Sequence, residues 1–329
     1  MKQNIAVIAG GNSSEYYISL QSAETIANGI DKEKFNVYTV LIKGNEWELT
    51  SDLYCGIPID KNDFSFNDNG QKVKFDCAYI SIHGTPGEDG KLQSYFEMIG
   101  VQYVSCDVLC SSLTFNKYFC NTYLKQMGVF VADSVLLKKR TVIDTNLIIK
   151  KVGLPCFVKP NEGGSSFGIS KVKSETELIP AINKAFEESD QIIIEQFIEG
   201  REITAGLVKV NEKEYLFPLT EIKTSNEFFD YKAKYDDKET QEITPAPIDD
   251  KLTTDCLKLS SEIYDHLNCR GIVRIDYIIN NGKFFFLELN TIPGMTPVSL
   301  VPKQIKENGL SFSNLLTELI EEAISKKKK

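Results

Sequence analysis

The chain has 329 residues, of which 42% are hydrophobic and 25% charged, and its formal net charge at pH 7 is −9. This is the composition of a globular protein, and the length predicts two or three domains instead of one core. The acidic balance argues against nucleic acid as a partner, because phosphate backbones attract clustered Lys and Arg. The run of Lys at 326–329 is interpreted as a solvated tail.

The chain has eight cysteines, which are scattered and form no C-x-x-C pair. Cys106 and Cys110 have no second Cys pair or His cluster beside them, so the sequence does not predict a structural zinc site. Scattered cysteines suit a reducing cytosol. The first apolar run is too short for the hydrophobic region of a signal peptide. A membrane span needs about 20 apolar residues, and no stretch of the sequence approaches that length. We therefore expect a cytoplasmic protein without a membrane partner.

The first third of the chain alternates between strand and helix patterns. Strands are predicted at 5–9, 37–42 and 77–82, and a helix at 18–30. This alternation predicts an α/β domain with a mostly parallel sheet, over residues 1–107. Ligands bind at the carboxyl ends of such strands, and Gly10-Gly11 and His83-Gly84 lie there.

The middle of the chain predicts a compact α+β domain over residues 108–196. Its predicted helices are 115–127, about 141–151 and 175–188, and its predicted strands are 134–137, 156–159 and 191–197. A glycine-rich loop, EGGSSFGIS at 162–170, follows the second of these strands.

The last part of the chain, residues 197–329, predicts a third domain. Hairpins are predicted at 203–219 around Asn211 and at 271–289 around Asn281-Gly282, and helices at 252–267 and 310–324. Asn-Gly between two apolar runs is a strong hairpin signal. Residues 223–247 are polar and weakly periodic, as in a functional or disordered loop.

Three oxygen-bearing side chains in the last hairpin predict a metal site. Glu288 and Asn290 are two apart and share one face of a strand, and Asp276 lies on the partner strand within cross-strand reach if the register is right. Carboxylates beside nucleotide phosphates suit Mg²⁺. A solvent-facing polar side of the hairpin explains the same spacing.

Three further features each have two interpretations. The small residues of EGGSSFGIS, next to Lys159, can bind a phosphate or form a mobile loop. The segment FDYKAKYDD at 229–237 is a flap over a site or a solvated loop. Glu15 either binds a ligand or acts as the dipole partner of the following helix. His83 either binds a ligand or is a buried core histidine.

Taken in order, these segments resemble the D-alanine–D-alanine ligases of the ATP-grasp superfamily over almost the whole chain. The strings that carry the resemblance are GGNSSE at 10–15, HGTPGEDGKLQ at 83–93, NK at 116–117, VKPNEGGSSFGISKV at 158–172, YKAKY at 231–235, RIDY at 274–277 and LELNTIPGMTPVSLVP at 287–302. One such string could occur by chance, but seven strings in the order of the family are specific for that family.

The resemblance implies three domains, with ATP held between the last two, and ligation of two D-alanine molecules through an acyl phosphate for peptidoglycan synthesis. It also implies a homodimer. The implied nucleotide ligands are Lys117, Lys159 and Ser166 around the phosphates, Glu195 and Ile198 at the adenine edge, and Glu202 at the ribose. The implied ligands of two Mg²⁺ (or Mn²⁺) ions are Asp276, Glu288 and Asn290.

The resemblance implies a second set of residues around the amino acids. Glu15, supported by Ser165 and Tyr235, would pair with the ammonium group of the first D-alanine, and His83 would line the same pocket. Arg274 and the backbone of Gly294 would stabilise the oxyanion. The second D-alanine would be received by Ser299, Leu300 and Lys234.

Two positions depart from the family pattern, and three rival functions stay open. Gly163 stands where members often carry Glu, and Phe229 where some carry Tyr; Tyr235, which goes with making a dipeptide, is retained. The nearest rival is an ATP-grasp ligase with D-lactate or D-serine as acceptor. A dinucleotide-dependent oxidoreductase lacks the full G-x-G-x-x-G and leaves Asp276, Glu288 and Asn290 unexplained. A nucleotide-binding regulator without catalysis is the third rival. It would not need all the charged groups that the family uses, and this chain has every one of them.

Overall fold

The computed structural model describes residues 2–51, 54–164, 168–223 and 240–326. Three main sheets follow one another along the chain, with five, four and seven strands. None of the helices in the described ranges combines the length and apolarity that crossing a bilayer requires.

The first sheet is mostly parallel, as predicted. Its central strand is buried from its third residue onward, which explains why the sequence there is a continuous apolar run. The order is β3-β2-β1-β6-β7, with only β2–β3 antiparallel. The elements are β1 (Gln3–Gly10), α1 (Tyr16–Gly29), β2 (Phe35–Lys43), β3 (Glu46–Leu49), the separate hairpin β4 (Ser65–Asp68) and β5 (Gln71–Lys74), β6 (Cys77–Ile80), α2 (Lys91–Ile99) and β7 (Gln102–Val104).

The predicted helix at 115–127 is wrong at its start, because Asn116 divides this region into two helices. They are α3 (Val108–Phe115) and α4 (Lys117–Gln126), followed by β8 (Phe130–Val131). The side chain of Asn116 accepts a hydrogen bond from the backbone N–H of Phe119, and Asp107 caps α3 in the same way. Asn and Asp favour such caps over helix interiors.

The second sheet is antiparallel and has the order β11-β10-β12-β9. Its elements are β9 (Ser134–Lys138), α5 (Thr145–Val152), β10 (Cys156–Pro160), β11 (Ser170–Val172), α6 (Glu175–Glu188) and β12 (Gln191–Gln196). The helices cover one face, and the sheet has a core of its own that includes Ile148, Leu178 and Ile194. This unit agrees with the predicted α+β pattern.

The third sheet has the order β16-β15-β13-β17-β18-β8, with β14 beside β13. Its elements are β13 (Arg201–Val210), β14 (Lys213–Leu216), β15 (Thr220–Lys223), β16 (Gln241–Ile243), α7 (Asp250–His266), β17 (Val273–Asn280), β18 (Lys283–Asn290), α8 (Leu300–Glu307) and α9 (Phe312–Ser325). β16 lies inside the predicted loop at 223–247, and α8 was not predicted. Residues 224–239 lie outside the described ranges.

The first and third sheets share a core, whereas the second does not join it. Ile5 and Ile26 of the first unit are in one apolar cluster with Phe217, Met295 and Leu316 of the last. The segment 108–131, predicted to open the central domain, packs with the third sheet through Cys110, Leu124 and Val129. The predicted boundaries at 107 and 196 stay predictions.

Candidate functional site

The hairpin of β17 and β18 brings the predicted metal ligands together. Asp276 is opposite Glu288, and Arg274 is opposite Asn290. The Asn281-Gly282 turn, in which both residues have positive φ, sets Asn280 opposite Lys283, and a β-bulge between Asp276 and Tyr277 then shifts the pairing by one residue and brings Asp276 opposite Glu288. The amide nitrogen of Asn290 donates to the carboxylate of Asp276 at 3.3 Å. The cross-strand register that the sequence required is therefore present.

Asp276 is buried, with 5% of its surface exposed, and is held from several sides. The Arg274 guanidinium donates to both its carboxylate oxygens, at 2.8–3.2 Å, and Thr204 donates through its hydroxyl at 2.8 Å. A guanidinium nitrogen of Arg274 also lies 4.0 Å from a carboxylate oxygen of Glu288. Burial alone would lower the pKa of Arg274, but the carboxylates of Asp276 and Glu288 raise it above its ordinary value.

This donor set fits a hard divalent cation. Two carboxylates and one amide oxygen lie on adjacent positions of paired strands, and such oxygen ligands are those that Mg²⁺ prefers beside phosphates. Arg274 supplies one positive charge against the two carboxylates, so the hairpin retains negative charge for a cation. Asp276, Glu288 and Asn290 are accordingly the residues that can hold Mg²⁺.

Lys159 and Glu195 form a buried ion pair at 2.5 Å between neighbouring strands β10 and β12. The other carboxylate oxygen of Glu195 accepts from the amide of Asn121 at 3.0 Å. Burial would lower the pKa of Lys159, but Glu195 outweighs it, so this pKa is raised and the ammonium stays charged. The carboxylate of Glu195, predicted at the adenine edge, thus positions Lys159 in the structure.

Lys117 begins α4 and points its ammonium at the glycine-rich loop. It donates to the backbone carbonyl of Gly163 at 2.6 Å, and the buried Asn161 binds the backbone amides of Lys117 and Tyr118. Burial lowers the pKa of Lys117, and neighbouring Lys159 lowers it further. The neighbouring ammonium groups of Lys117 and Lys159 repel each other, and such a pair of cations indicates an anion-binding site.

The glycine-rich loop also approaches the first domain. A Cβ on Gly164 would lie 2.8 Å from a carboxylate oxygen of Glu15, so a side chain there would displace that carboxylate. Glu15 is the residue before α1, and its backbone N–H donates to the hydroxyl of Ser13 at 3.2 Å. The predicted contacts of Ser165 and Ser166 in this loop, and of Lys234 and Tyr235 in the flap, lie outside the described residues.

His83 is buried, and both its ring nitrogens have partners. Nδ1 lies 2.9 Å from the carbonyl of Ile292, and Nε2 lies 3.3 Å from the hydroxyl of Ser22. A carbonyl can only accept, so Nδ1 carries the proton. Burial lowers the pKa of His83 and favours the neutral ring. The arrangement favours the interpretation of His83 as a buried histidine that joins two segments close to Glu15.

Glu88, which lies in the string HGTPGEDGKLQ at 83–93, is a titratable group of the site. It accepts from the backbone N–H of Gly84 at 2.7 Å. Burial, and then the carboxylate of Glu15, raise the pKa of Glu88 to about 8. Glu88 therefore holds a proton at neutral pH, which limits the negative charge beside Glu15 and Glu288.

We expect the stability contribution of Glu88 to fall as the pH rises. Its folded pKa of about 8 exceeds the ordinary 4.5, so the folded chain holds a proton that the unfolded chain releases between these values. The contribution is complete below about pH 4.5 and is lost as the pH rises through about 8. Glu88→Gln has no such proton, so its Tm relative to the parent should rise between about pH 6 and about pH 9. A constant Tm difference would contradict this; exposed Glu46→Gln is the control.

The predicted acceptor-side residues cluster at the start of α8. Ser299 is the residue before this helix, and its hydroxyl lies 2.7 Å from that of Thr296. A Cβ on Gly294 would lie 2.9 Å from the Ser299 hydroxyl, so this backbone approaches closely only because residue 294 is glycine. Leu300 is buried in the first turn of the helix.

The predicted nucleotide segment leaves β12 and enters β13. Glu202 lies in β13 opposite Ile278, and Ile198 is half-buried in the connection. The ammonium of Lys171 lies 4.0 Å from the centre of the Phe197 ring in the same connection. Sequence reasoning missed Phe197, Lys171 and Asn121, because their roles depend on cross-strand neighbours that no local pattern reveals.

The chain is similar to known ligases over nearly its whole length. The family models for the D-Ala–D-Ala ligase N-terminus and C-terminus match residues 4–106 and 123–321. The D-alanine–D-alanine ligase of Phocaeicola vulgatus is 52% identical over 322 residues, which cover 98% of this chain and 99% of that protein.

Solved structures give the same result. The VanG D-Ala:D-Ser ligase from Enterococcus faecalis has a TM-score of 0.86 at 33% identity and covers 98% of this chain and 99% of its own. The D-alanine–D-alanine ligase from Bacillus anthracis complexed with ATP has a TM-score of 0.79 at 27% identity, with 99% of each chain covered.

Proposed function

Because the chain belongs to the D-alanine–D-alanine ligase family of the ATP-grasp superfamily, we propose that it joins two D-alanine molecules to D-alanyl-D-alanine for peptidoglycan synthesis. ATP is converted to ADP and phosphate in the reaction. The observation that carries the proposal is that Arg274 lies in the hairpin that holds Asp276, Glu288 and Asn290, while Lys117 and Lys159 come from two other elements that adjoin the glycine-rich loop. Cations placed in this way offset the charge of a transferring phosphoryl group.

In the first step, a carboxylate oxygen of D-alanine attacks the γ-phosphorus of ATP, and ADP leaves. Lys117 and Lys159 contact the phosphates, together with Ser166. Glu195 and Ile198 lie towards adenine and Glu202 towards the ribose. Asp276, Glu288 and Asn290 would hold the Mg²⁺ (or Mn²⁺) ions, which when bound neutralise phosphate charge. The product of this step is D-alanyl phosphate.

In the second step, the amine of another D-alanine attacks the acyl carbon, loses a proton and displaces phosphate. Arg274 and the backbone N–H of Gly294 stabilise the oxyanion that forms. Glu15, with Ser165 and Tyr235, holds the ammonium of the first D-alanine, and His83 supports this pocket. The second D-alanine is received by Ser299, Leu300 and Lys234.

The function is tested by phosphate release from ATP with Mg²⁺, in the presence and absence of D-alanine. We expect release to require D-alanine and a dipeptide to appear by mass spectrometry, with L-alanine and D-lactate inactive alone. A release that needs another carboxylate would overturn the substrate assignment. Pairing D-alanine with D-serine or D-lactate as the second substrate tests the rival acceptors.

Tyr235→Phe tests the choice of acceptor. The role of Tyr235 rests on the family resemblance, in which a Tyr here accompanies dipeptide formation. We expect loss of the hydroxyl to remove a hydrogen bond worth about 1 kcal/mol and to shift the ratio of dipeptide to ester severalfold towards D-lactate. The ratio is measured by mass spectrometry with both acceptors present. An unchanged ratio would contradict the role.

Two further features belong to this proposal. The reaction consumes ATP and free amino acid, and we place it in the cytoplasm. We also propose a homodimer, which sedimentation equilibrium of the full chain tests. The partners are D-alanine and ATP, without nucleic acid or a membrane.

A further inference from the structure

Three buried cysteines from two distant parts of the chain meet at one point in the core. Cys106 follows β7, Cys110 lies in the first turn of α3, and Cys269 lies between α7 and β17. Their sulfur atoms are all within 4.8 Å of one another, and those of Cys110 and Cys269 are 3.7 Å apart. Within the described ranges, no other group of three or more Cys, His, Asp or Glu side chains brings its ligand atoms so close.

We propose that Cys106, Cys110 and Cys269 bind one thiophilic d¹⁰ cation such as Zn²⁺. A Zn–S bond is about 2.3 Å, so two sulfurs of a tetrahedral site lie about 3.8 Å apart. Cys110 and Cys269 already have this separation. The third sulfur is within reach of the same centre, and three protein ligands leave the fourth position for water or an external ligand.

Backbone groups of the segment that carries Cys269 contact the sulfur of Cys106, which as a thiol donates to the carbonyl of Arg270 at 3.3 Å. The backbone N–H of Arg270 donates to the sulfur of Cys106 at 3.4 Å, and Cys110 occupies a helix N-terminus, where negative charge is stabilised.

Cation binding replaces the thiol protons, which are released to solvent. Three thiolates and Zn²⁺ carry a net charge of −1. The half-exposed guanidinium of Arg270 lies 3.5 Å from the carboxylate of Asp107, the residue that caps α3. Asp107 is itself committed to the amide of Cys110 and the side chain of Asn268.

Two simpler interpretations explain less. A disulfide between Cys110 and Cys269 would use two sulfurs and leave the convergence of Cys106 unexplained. Cysteines that only fill a core need not meet, and Cys120 and Cys256 lie in the same apolar cluster without joining a sulfur group. The bound cation would tie the start of α3 to the segment that leads into β17.

The test uses Cd²⁺, whose thiolate complexes absorb in the ultraviolet, added to the reduced full chain in excess Mg²⁺. The excess Mg²⁺ occupies the sites made of oxygen ligands, and only Cd²⁺ bound to thiolates gives the ultraviolet absorption. We expect one Cd²⁺ per chain, an absorption intensity of three thiolates, and competition by Zn²⁺. Cys106→Ser, Cys110→Ser and Cys269→Ser should each weaken binding by about 10-fold or more. Cys256→Ser, a buried cysteine in the same core, is the matched control and should bind as the parent does.

Several outcomes would overturn the proposal. The first outcome is measured on the parent protein alone, so it does not depend on whether a variant folds. If the parent gives no absorption, or an intensity of two thiolates or fewer, a three-sulfur site is excluded. Equal affinity in folded variants and parent would exclude these ligands. A chain that is two mass units lighter before reduction and gives no absorption afterwards would identify a disulfide instead.

Discussion

Replacing Arg274 with alanine is expected to lower kcat by about 10²–10³-fold, the usual cost of one oxyanion donor, with ATP affinity nearly unchanged. ATP affinity should persist because Asp276 keeps Thr204 and Asn290 as partners when the guanidinium is removed. The measurements are kcat from dipeptide formation and the Kd of ATP by calorimetry.

Arg274→Lys is the matched control for this variant. It keeps a positive charge beside Asp276 but loses the two-pronged contact that Arg274 makes with both carboxylate oxygens. We expect its kcat to lie between those of the parent and the alanine variant. Near-normal turnover in Arg274→Ala, with folding confirmed by Tm, would exclude the oxyanion role. A large loss of ATP affinity would instead assign Arg274 to nucleotide binding.

Replacing Lys159 with methionine is expected to damage stability and turnover for separable reasons. The carboxylate of Glu195 is almost fully buried and would lose its cation, which costs about 3–5 kcal/mol in the free energy of unfolding. The phosphate contact would be lost as well, and kcat/KM for ATP should fall by about 10²-fold or more. Denaturant unfolding and steady-state kinetics measure the two effects.

The double variant Lys159→Met with Glu195→Gln separates these effects. A neutral Gln can keep the hydrogen bond with Asn121 without leaving a buried charge, so much of the lost stability should return. Turnover should not return, because no cation faces the phosphates. Recovery of kcat/KM together with stability would show that Lys159 acts only through folding. Glu195→Gln alone is the reference for the cycle.

The sequence predicted features that depend on local geometry. Asn281-Gly282 predicted the tight turn and the hairpin, whereas Asp276 lies opposite Glu288 only because a β-bulge between Asp276 and Tyr277 shifts the register by one residue. The mostly parallel first sheet followed from strand and helix alternation. Ordered family strings located Lys117, Lys159 and Arg274 without any knowledge of distances.

Features that depend on long-range approach could not be predicted. Cys269 reaches Cys110 across 159 positions, so the spacing of Cys106 and Cys110 alone gave no sign of a third sulfur. The proton on Glu88 depends on burial and on Glu15, which comes from another part of the chain. Short strands such as β7 have too few residues for a period to be recognised.

The shared core of the first and third sheets has a consequence for how nucleotide enters and leaves. The buried bonds from His83 to Ile292 and from Met295 to Ser22 join these two units, whereas the second sheet has a separate core. Opening between the shared core and the second sheet disturbs fewer apolar contacts than opening within that core. ADP exchange would then be a rotation of one small lobe against a rigid base that keeps Glu15, Arg274 and Asp276 in fixed relation. The part of the amino-acid pocket that Glu15, His83 and Arg274 form would thus stay assembled through every nucleotide cycle, while the glycine-rich loop moves with the lobe.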